Sequence, residues 1–165
     1  MKKVGLSILL VSLLAACASQ KPKEAPAAEA AQPAAEAPKA APVAVDPLND
    51  PNGVLAKRSA YFPFDVSVVQ DADKPMLGAH GKYLADHSAR KVRVEGNCDE
   101  RGSTEYNLGL GQRRADSVKK MLVLDGANAA QVSTISYGEE KPRLTCHEEK
   151  CWKENRRADL NYNAN

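Results

Sequence analysis

The chain has 165 residues, of which 23 are Lys or Arg, 21 are Asp or Glu and four are Cys. So even a charge balance supplies no clustered basic surface for nucleic acid, and the length suits one domain of ordinary size.

Residues 1–16 read as a signal peptide: Lys2 and Lys3, an apolar run from Val4 to Leu14 that carries Ser7 and Ser12, then small residues before Cys17. The run is too short to span a bilayer as a helix. Leu14-Ala15-Ala16-Cys17 resembles the bacterial lipobox, whose cysteine is acylated, palmitate being a typical chain, and becomes the first mature residue. Ala18, where an inner-membrane lipoprotein would carry Asp, implies by the same resemblance transfer to the outer membrane. The expectation is therefore a lipid anchor at Cys17 and a folded part in the periplasm. With Lys2 and Lys3 removed, 21 basic residues face 21 acidic ones.

Residues 17–53 are mostly Ala, Pro, Glu and Lys with scarcely any large apolar side chain, a composition that cannot offset its ordering entropy. They are expected to form a disordered tether, biased by proline toward extended stretches and reaching on the order of 100 Å at roughly 3 Å per residue. Residues 54–165 are expected to form the domain.

Within the domain, Tyr61-Phe62-Pro63-Phe64 reads as a short strand, with Pro63 placing it at a sheet edge or strand end. Met76, Leu77, His80, Tyr83, Leu84 and His87 fall mostly on one helical face between Asp73 and His87. The alternation in Lys91-Val92-Arg93-Val94-Glu95 is that of a strand with one buried face. After a loop from Gly96 to Gly102, Ser103 or Thr104 can cap a long helix with Leu108, Ala115, Val118 and Leu122 at helical spacing, ended by Asp125-Gly126. A strand at Val132–Tyr137, closed by Gly138, a short helix around Trp152–Asn155 and a last strand at Ala158–Tyr162 complete the order. Such alternation predicts an α/β (α+β) two-layer sandwich, helices on one face of a mixed four-stranded sheet.

The loop sets Asp99 beside a helix N-terminus, where backbone N–H groups and a partial positive charge collect, a setting suited to a small polar ligand. Arg114 lies roughly ten residues into the helix, about 15 Å along its axis. It meets the loop only if the loop folds back along the helix.

The stretch Gly96-Asn97-Cys98-Asp99-Glu100-Arg101-Gly102-Ser103-Thr104-Glu105-Tyr106-Asn107-Leu108-Gly109-Leu110-Gly111-Gln112-Arg113-Arg114-Ala115 resembles the OmpA-like peptidoglycan-binding domain family, and within it the lipoprotein branch. Tyr61-Phe62-Pro63-Phe64-Asp65, Ser136-Tyr137-Gly138-Glu139-Glu140 and Asn155-Arg156-Arg157-Ala158 match it too, so the likeness spans essentially all of residues 54–165. It implies that Asp99 accepts hydrogen bonds from the ammonium of meso-diaminopimelate in the wall's stem peptide and that Arg114 clamps the carboxylate with its bidentate fork. Asp65, Arg101, Asn107 and Leu110 are implied as further ligand contacts, whereas Arg113 reads as a solvated surface charge. The resemblance also implies binding to the periplasmic propeller protein TolB and service in the Tol system at cell division, or else a wall-binding lipoprotein outside that system. Where many family members carry His, this chain has Asn97, which cannot titrate near neutral pH.

Cys146 and Cys151 bracket four residues, and in an oxidising compartment the expected outcome is a local disulfide, leaving Cys98 as a buried free thiol. A zinc site from Cys98, Cys146, His147 and Cys151 lacks the usual closely spaced ligand pairs, so no metal or cofactor is expected. An enzyme reading would use Asp99 and Glu100 as acid and base. Adjacent residues seldom face one substrate, and no nucleophile and base pair accompanies them.

Overall fold

The structure is a computed structural model and describes residues 46–163. The signal segment, Cys17 and the tether up to residue 45 lie outside the described residues. The elements run as two short 3-10 turns (Pro47–Asn49 and Val54–Ala56), β1 (Ser59–Tyr61), α1 (Lys74–Asp86), β2 (Val92–Asn97), α2 (Thr104–Leu124), a 3-10 turn (Ala129–Gln131), β3 (Val132–Gly138), α3 (Glu149–Asn155) and β4 (Arg157–Asn161). The sheet order is β1-β4-β2-β3. β2 and β3 are parallel, joined by a crossover through α2, and β4 runs antiparallel to both β1 and β2. This is the mixed four-stranded α/β sheet that the alternation of elements predicts. Among the described residues no helix is long and apolar enough to cross a membrane.

Local chemistry explains most boundaries. Pro75 occupies the first turn of α1, where its missing N–H costs nothing, and Met76, Leu77, His80, Tyr83 and Leu84 turn inward. In β2, Val92 and Val94 are buried on alternate positions. The α2 helix opens with the Ser103 hydroxyl accepting from the Tyr106 N–H and closes at Gly126, whose φ of +111° is the left-handed stop that glycine adopts freely.

Three expectations need correction. β1 ends at Tyr61 and does not include Phe62-Pro63-Phe64, because Pro63 has no N–H to give the ladder and the chain turns away into a loop. Leu108 shares the stripe of Ala115, Val118 and Leu122 but stays 40 % exposed. At that level the helix has reached the end of β3, where Gly138 lies against the Leu108 backbone. The folded body also begins before Val54: Leu48 is buried in the core, and Asp46 accepts from the Tyr83 hydroxyl at 3.0 Å and pairs with Arg90. Residues 46–53 therefore belong to the domain. His80, on the inward face of α1, is wholly buried. Its Nε2 contacts the Lys57 carbonyl at 2.8 Å and must carry the proton, so Nδ1 accepts from the Tyr162 hydroxyl at 2.8 Å.

The contact that positions everything downstream lies between two glycines. A Cβ placed on Gly96 of β2 would sit 1.9 Å from the carbonyl oxygen of Gly111 in α2. One on Gly111 would meet the Ser136 hydroxyl at 2.3 Å and the Gly96 carbonyl at 3.0 Å. Helix and strand thus touch backbone to backbone. Substituting Gly96→Ala forces that contact apart and is expected to cost at least about 3 kcal/mol; urea unfolding measures it, and an unchanged midpoint would contradict this packing.

Candidate functional site

Where α2 touches β2, the chain leaving β2 must run back beside the helix, and Arg114, three residues beyond Gly111, faces it. Its Nη1 donates to the Asn97 carbonyl at 2.9 Å and to the Cys98 sulfur at 3.3 Å. The loop therefore does fold back along the helix. Asn107 in the first turn holds the other side, donating from Nδ2 to the Arg101 carbonyl at 3.2 Å and to Glu139 Oε2 at 2.5 Å. Between the loop, α2, the segment after β1 and Arg156 lies a cavity of about 180 Å³. Asp65, Asp99, Arg101, Asn107, Leu110 and Arg114, the six residues implied by the resemblance, all line it.

Asp99 is 3 % exposed and accepts at four points. Oδ1 takes the Arg101 backbone N–H and Nε, both at 3.1 Å, and Oδ2 takes Arg101 Nη2 at 2.7 Å and Arg156 Nη1 at 3.1 Å. Burial by itself pushes its pKa up, but the hydrogen bonds from Arg101 and Arg156 outweigh it and hold the carboxyl below its ordinary value. Its ion partners are Arg101 and Arg156, not Arg114.

Arg114 departs from the expected fork. It has no exposed surface, and four of its five N–H groups are committed: besides the two from Nη1, Nε donates to the Val66 carbonyl at 2.9 Å and Nη2 to that of Pro63 at 3.1 Å. One Nη2 hydrogen remains to face the cavity. The bidentate clamp that the resemblance implies is therefore spent on the protein's own acceptors.

Other parts of the wall follow from their neighbours. Arg101, its side chain about a third exposed, lies 4.2 Å from the Phe64 ring and 4.0 Å from that of Trp152. Asp65 adopts a left-handed φ of +56° and accepts from the Tyr106 hydroxyl, which holds it at the rim. Leu110 forms an apolar patch, and Cys98 is a free buried thiol whose pKa burial raises. Asn97 is buried but does not line the cavity; its Nδ2 donates to the Glu95 carbonyl, and its Oδ1 has no hydrogen-bond partner.

Glu100 points the other way, accepting from the Trp152 indole N–H at 2.8 Å and pairing with His147 at 2.7 Å. The two adjacent carboxylates diverge, so they cannot act together as acid and base. Cys146 and Cys151 form the expected disulfide; His147 and Glu149 of the loop they close, and Trp152 just after it, reach Glu100, Arg156 and Arg101. Among the described residues no group of three or more His, Cys, Asp or Glu side chains is arranged to hold a metal ion.

Phe64, Tyr106 and Arg156 also line the cavity, and nothing in the sequence assigned them a place there. Arg156 lay in a quoted motif without a role, yet it is 5 % exposed and donates to both Asp99 and the Phe62 carbonyl. Phe64 and Tyr106 likewise lay in matched motifs without a role, and Trp152, which backs Arg101 without lining the cavity, carried no signal beyond being aromatic. With Arg101, Arg114 and Arg156 facing Asp65 and Asp99, the cavity suits a ligand with both an anionic and a cationic group.

A model of the OmpA family matches residues 61–156. The chain is 51 % identical over 104 residues to the peptidoglycan-associated lipoprotein of Pasteurella multocida, covering 63 % of this chain and 69 % of the relative, and 49 % identical over 104 residues to that of Haemophilus influenzae, covering 63 % and 68 %. The crystal structure of the peptidoglycan-associated lipoprotein from Burkholderia pseudomallei superposes with a TM-score of 0.70 at 52 % identity, over 70 % of this chain and 98 % of that one. The C-terminal domain of Helicobacter pylori MotB shares the fold at 19 % identity, with a TM-score of 0.60 over 66 % of this chain and 86 % of that one.

The charge arrangement makes a pH prediction. Because Asp99 has a lowered pKa in the fold, its stabilising contribution is complete above the unfolded value of about 3.9 and is lost as pH falls through the lower folded one. A ¹³C titration of its carboxyl should give a midpoint below the ordinary range, and a midpoint above 4 would contradict the assigned pairing.

Proposed function

The chain belongs to the OmpA family, and we propose that it is an outer-membrane lipoprotein that binds peptidoglycan non-covalently, a binding protein and not an enzyme. The observation that carries this reading is Asp99: a buried carboxylate at a cavity wall that also presents Arg101, Arg114 and Arg156. A neutral sugar leaves such charges unanswered, whereas a zwitterionic end group answers both signs. The stem-peptide residue of that kind is meso-diaminopimelate. Its ammonium goes to Asp99, and its carboxylate is drawn to the guanidinium side, where Arg114 offers its one uncommitted N–H. Asp65, Asn107 and Leu110 shape the rim and wall around it.

Two further parts rest on the sequence. Cys17 carries the lipid, and the Ala/Pro-rich stretch behind it gives the domain reach from the membrane to the wall. The family resemblance supports TolB as partner and a place in the Tol system, stabilising the outer membrane and drawing it inward at division.

The lipid-free chain from Ala18 onward should pellet with purified sacculi without releasing soluble fragments and should bind a diaminopimelate tripeptide by calorimetry. Asp99→Ala should weaken that binding by about tenfold or more, the loss expected for a charged hydrogen bond. Released fragments would contradict the binding role, and equal affinity of the variant would contradict the site. Capture of TolB by the same chain tests the partner, and no capture at micromolar concentration would place it outside the Tol system.

A further inference from the structure

The free cavity presents an obstacle to its own ligand. A carboxylate has about four acceptor positions, and all four on Asp99 are taken. An incoming ammonium must displace a donor. Arg156 is poorly placed to leave: its side chain is 6 % exposed, Nε donates to the Phe62 carbonyl at 3.0 Å, and Nη2 pairs with Glu149 at 2.5 Å. Arg101 is differently held. Its side chain is 32 % exposed and donates hydrogen bonds only to Asp99, and its remaining contacts are the Phe64 and Trp152 rings and a longer approach to Glu149 at 3.8 Å. Aromatic faces hold a guanidinium without fixing its direction, so it can turn between them at little cost. Once turned, Arg101 is the one lining arginine able to offer a free planar fork, since four of the five Arg114 donors are committed.

We propose that Arg101 sets the specificity of the cavity by changing partner: it caps Asp99 in the free protein and transfers to the ligand's carboxylate when the ligand's ammonium takes its place. The inference rests on the wall-binding reading above and deepens it. A ligand end bearing only an ammonium, as in a lysine-type stem, displaces Arg101 and offers it nothing. A diaminopimelate end restores the ion pair that it breaks. The exchange therefore selects ligands with both charges, the Arg101 fork adding to the single N–H that Arg114 offers.

The test uses the lipid-free chain with two tripeptides that differ only in carrying meso-diaminopimelate or lysine, titrated calorimetrically against wild type, R101Q and R101K. Wild type should prefer the diaminopimelate peptide by about tenfold or more. In R101Q that preference should fall to near unity, because the lysine peptide binds at least as well as to wild type while the diaminopimelate peptide binds less well. R101K, which returns the charge without the fork, should not restore the ratio. In wild type, the Arg101 Nε–H resonance should move on adding the diaminopimelate peptide and reach a different endpoint with the lysine peptide, a readout that needs no variant to fold. A wild-type ratio in R101Q, parallel loss of both affinities, or an unmoved Nε–H resonance would overturn the exchange while leaving wall binding in place. Failure of wild type to bind either peptide would overturn both.

Discussion

The close approach of Gly96 to Gly111 is the constraint on which the site depends. Glycine within a helix costs about 1 kcal/mol relative to alanine, and the cost has to be offset by something that only glycine permits. Here that is a helix lying directly on a strand, with a Cβ on Gly96 excluded at 1.9 Å from a backbone oxygen. Arg114 follows less than a full turn after Gly111, so the same contact brings its guanidinium to the end of β2 and fixes the path of the loop that bears Asp99. Were the two backbones separated by side chains, Arg114 would no longer reach Asn97 and Cys98, and the loop would lose its inner support.

Burying so much charge in so small a cavity is costly unless each group has partners. Arg114 meets this with three backbone carbonyls and a thiol, a set that neutralises no charge and leaves the cavity electropositive on that side. Asp99 meets it with two arginines. The disulfide-closed loop and Trp152 just after it support this arrangement from outside, since Glu149 engages Arg156, Trp152 lies against Arg101, and Glu100 is drawn outward by Trp152 and His147. Arg101 apart, the charges of the site are organised before any ligand arrives, which lowers the ordering cost of binding.

Much of this was legible in the sequence, for identifiable reasons. Capping residues and apolar periodicity located α1, α2 and β2 closely, because those signals act over a few neighbouring residues. Phe62-Pro63-Phe64 misled because its β-forming rings outweighed the missing N–H of Pro63. Leu48 and Asp46 were lost to the tether because one apolar residue and one acid in a Pro-rich stretch do not change its composition. The six cavity residues were named through a family resemblance; residue chemistry alone marked Asp99 and left open how Arg114, fifteen positions on, could reach it. Nothing in a sequence says how many carbonyls an arginine will meet, so the spent fork of Arg114 and the role of Arg156 needed the fold.

In the proposed function the cavity receives a zwitterion with its ammonium on Asp99. A crystal structure of the lipid-free chain with a bound diaminopimelate tripeptide tests it most directly. The ligand's side-chain nitrogen is expected at hydrogen-bond distance from an Asp99 oxygen, with Arg114 still donating to Val66, Pro63 and Asn97. A peptide seated outside this cavity, or one whose ammonium points to solvent while Arg101 stays on Asp99, would contradict it.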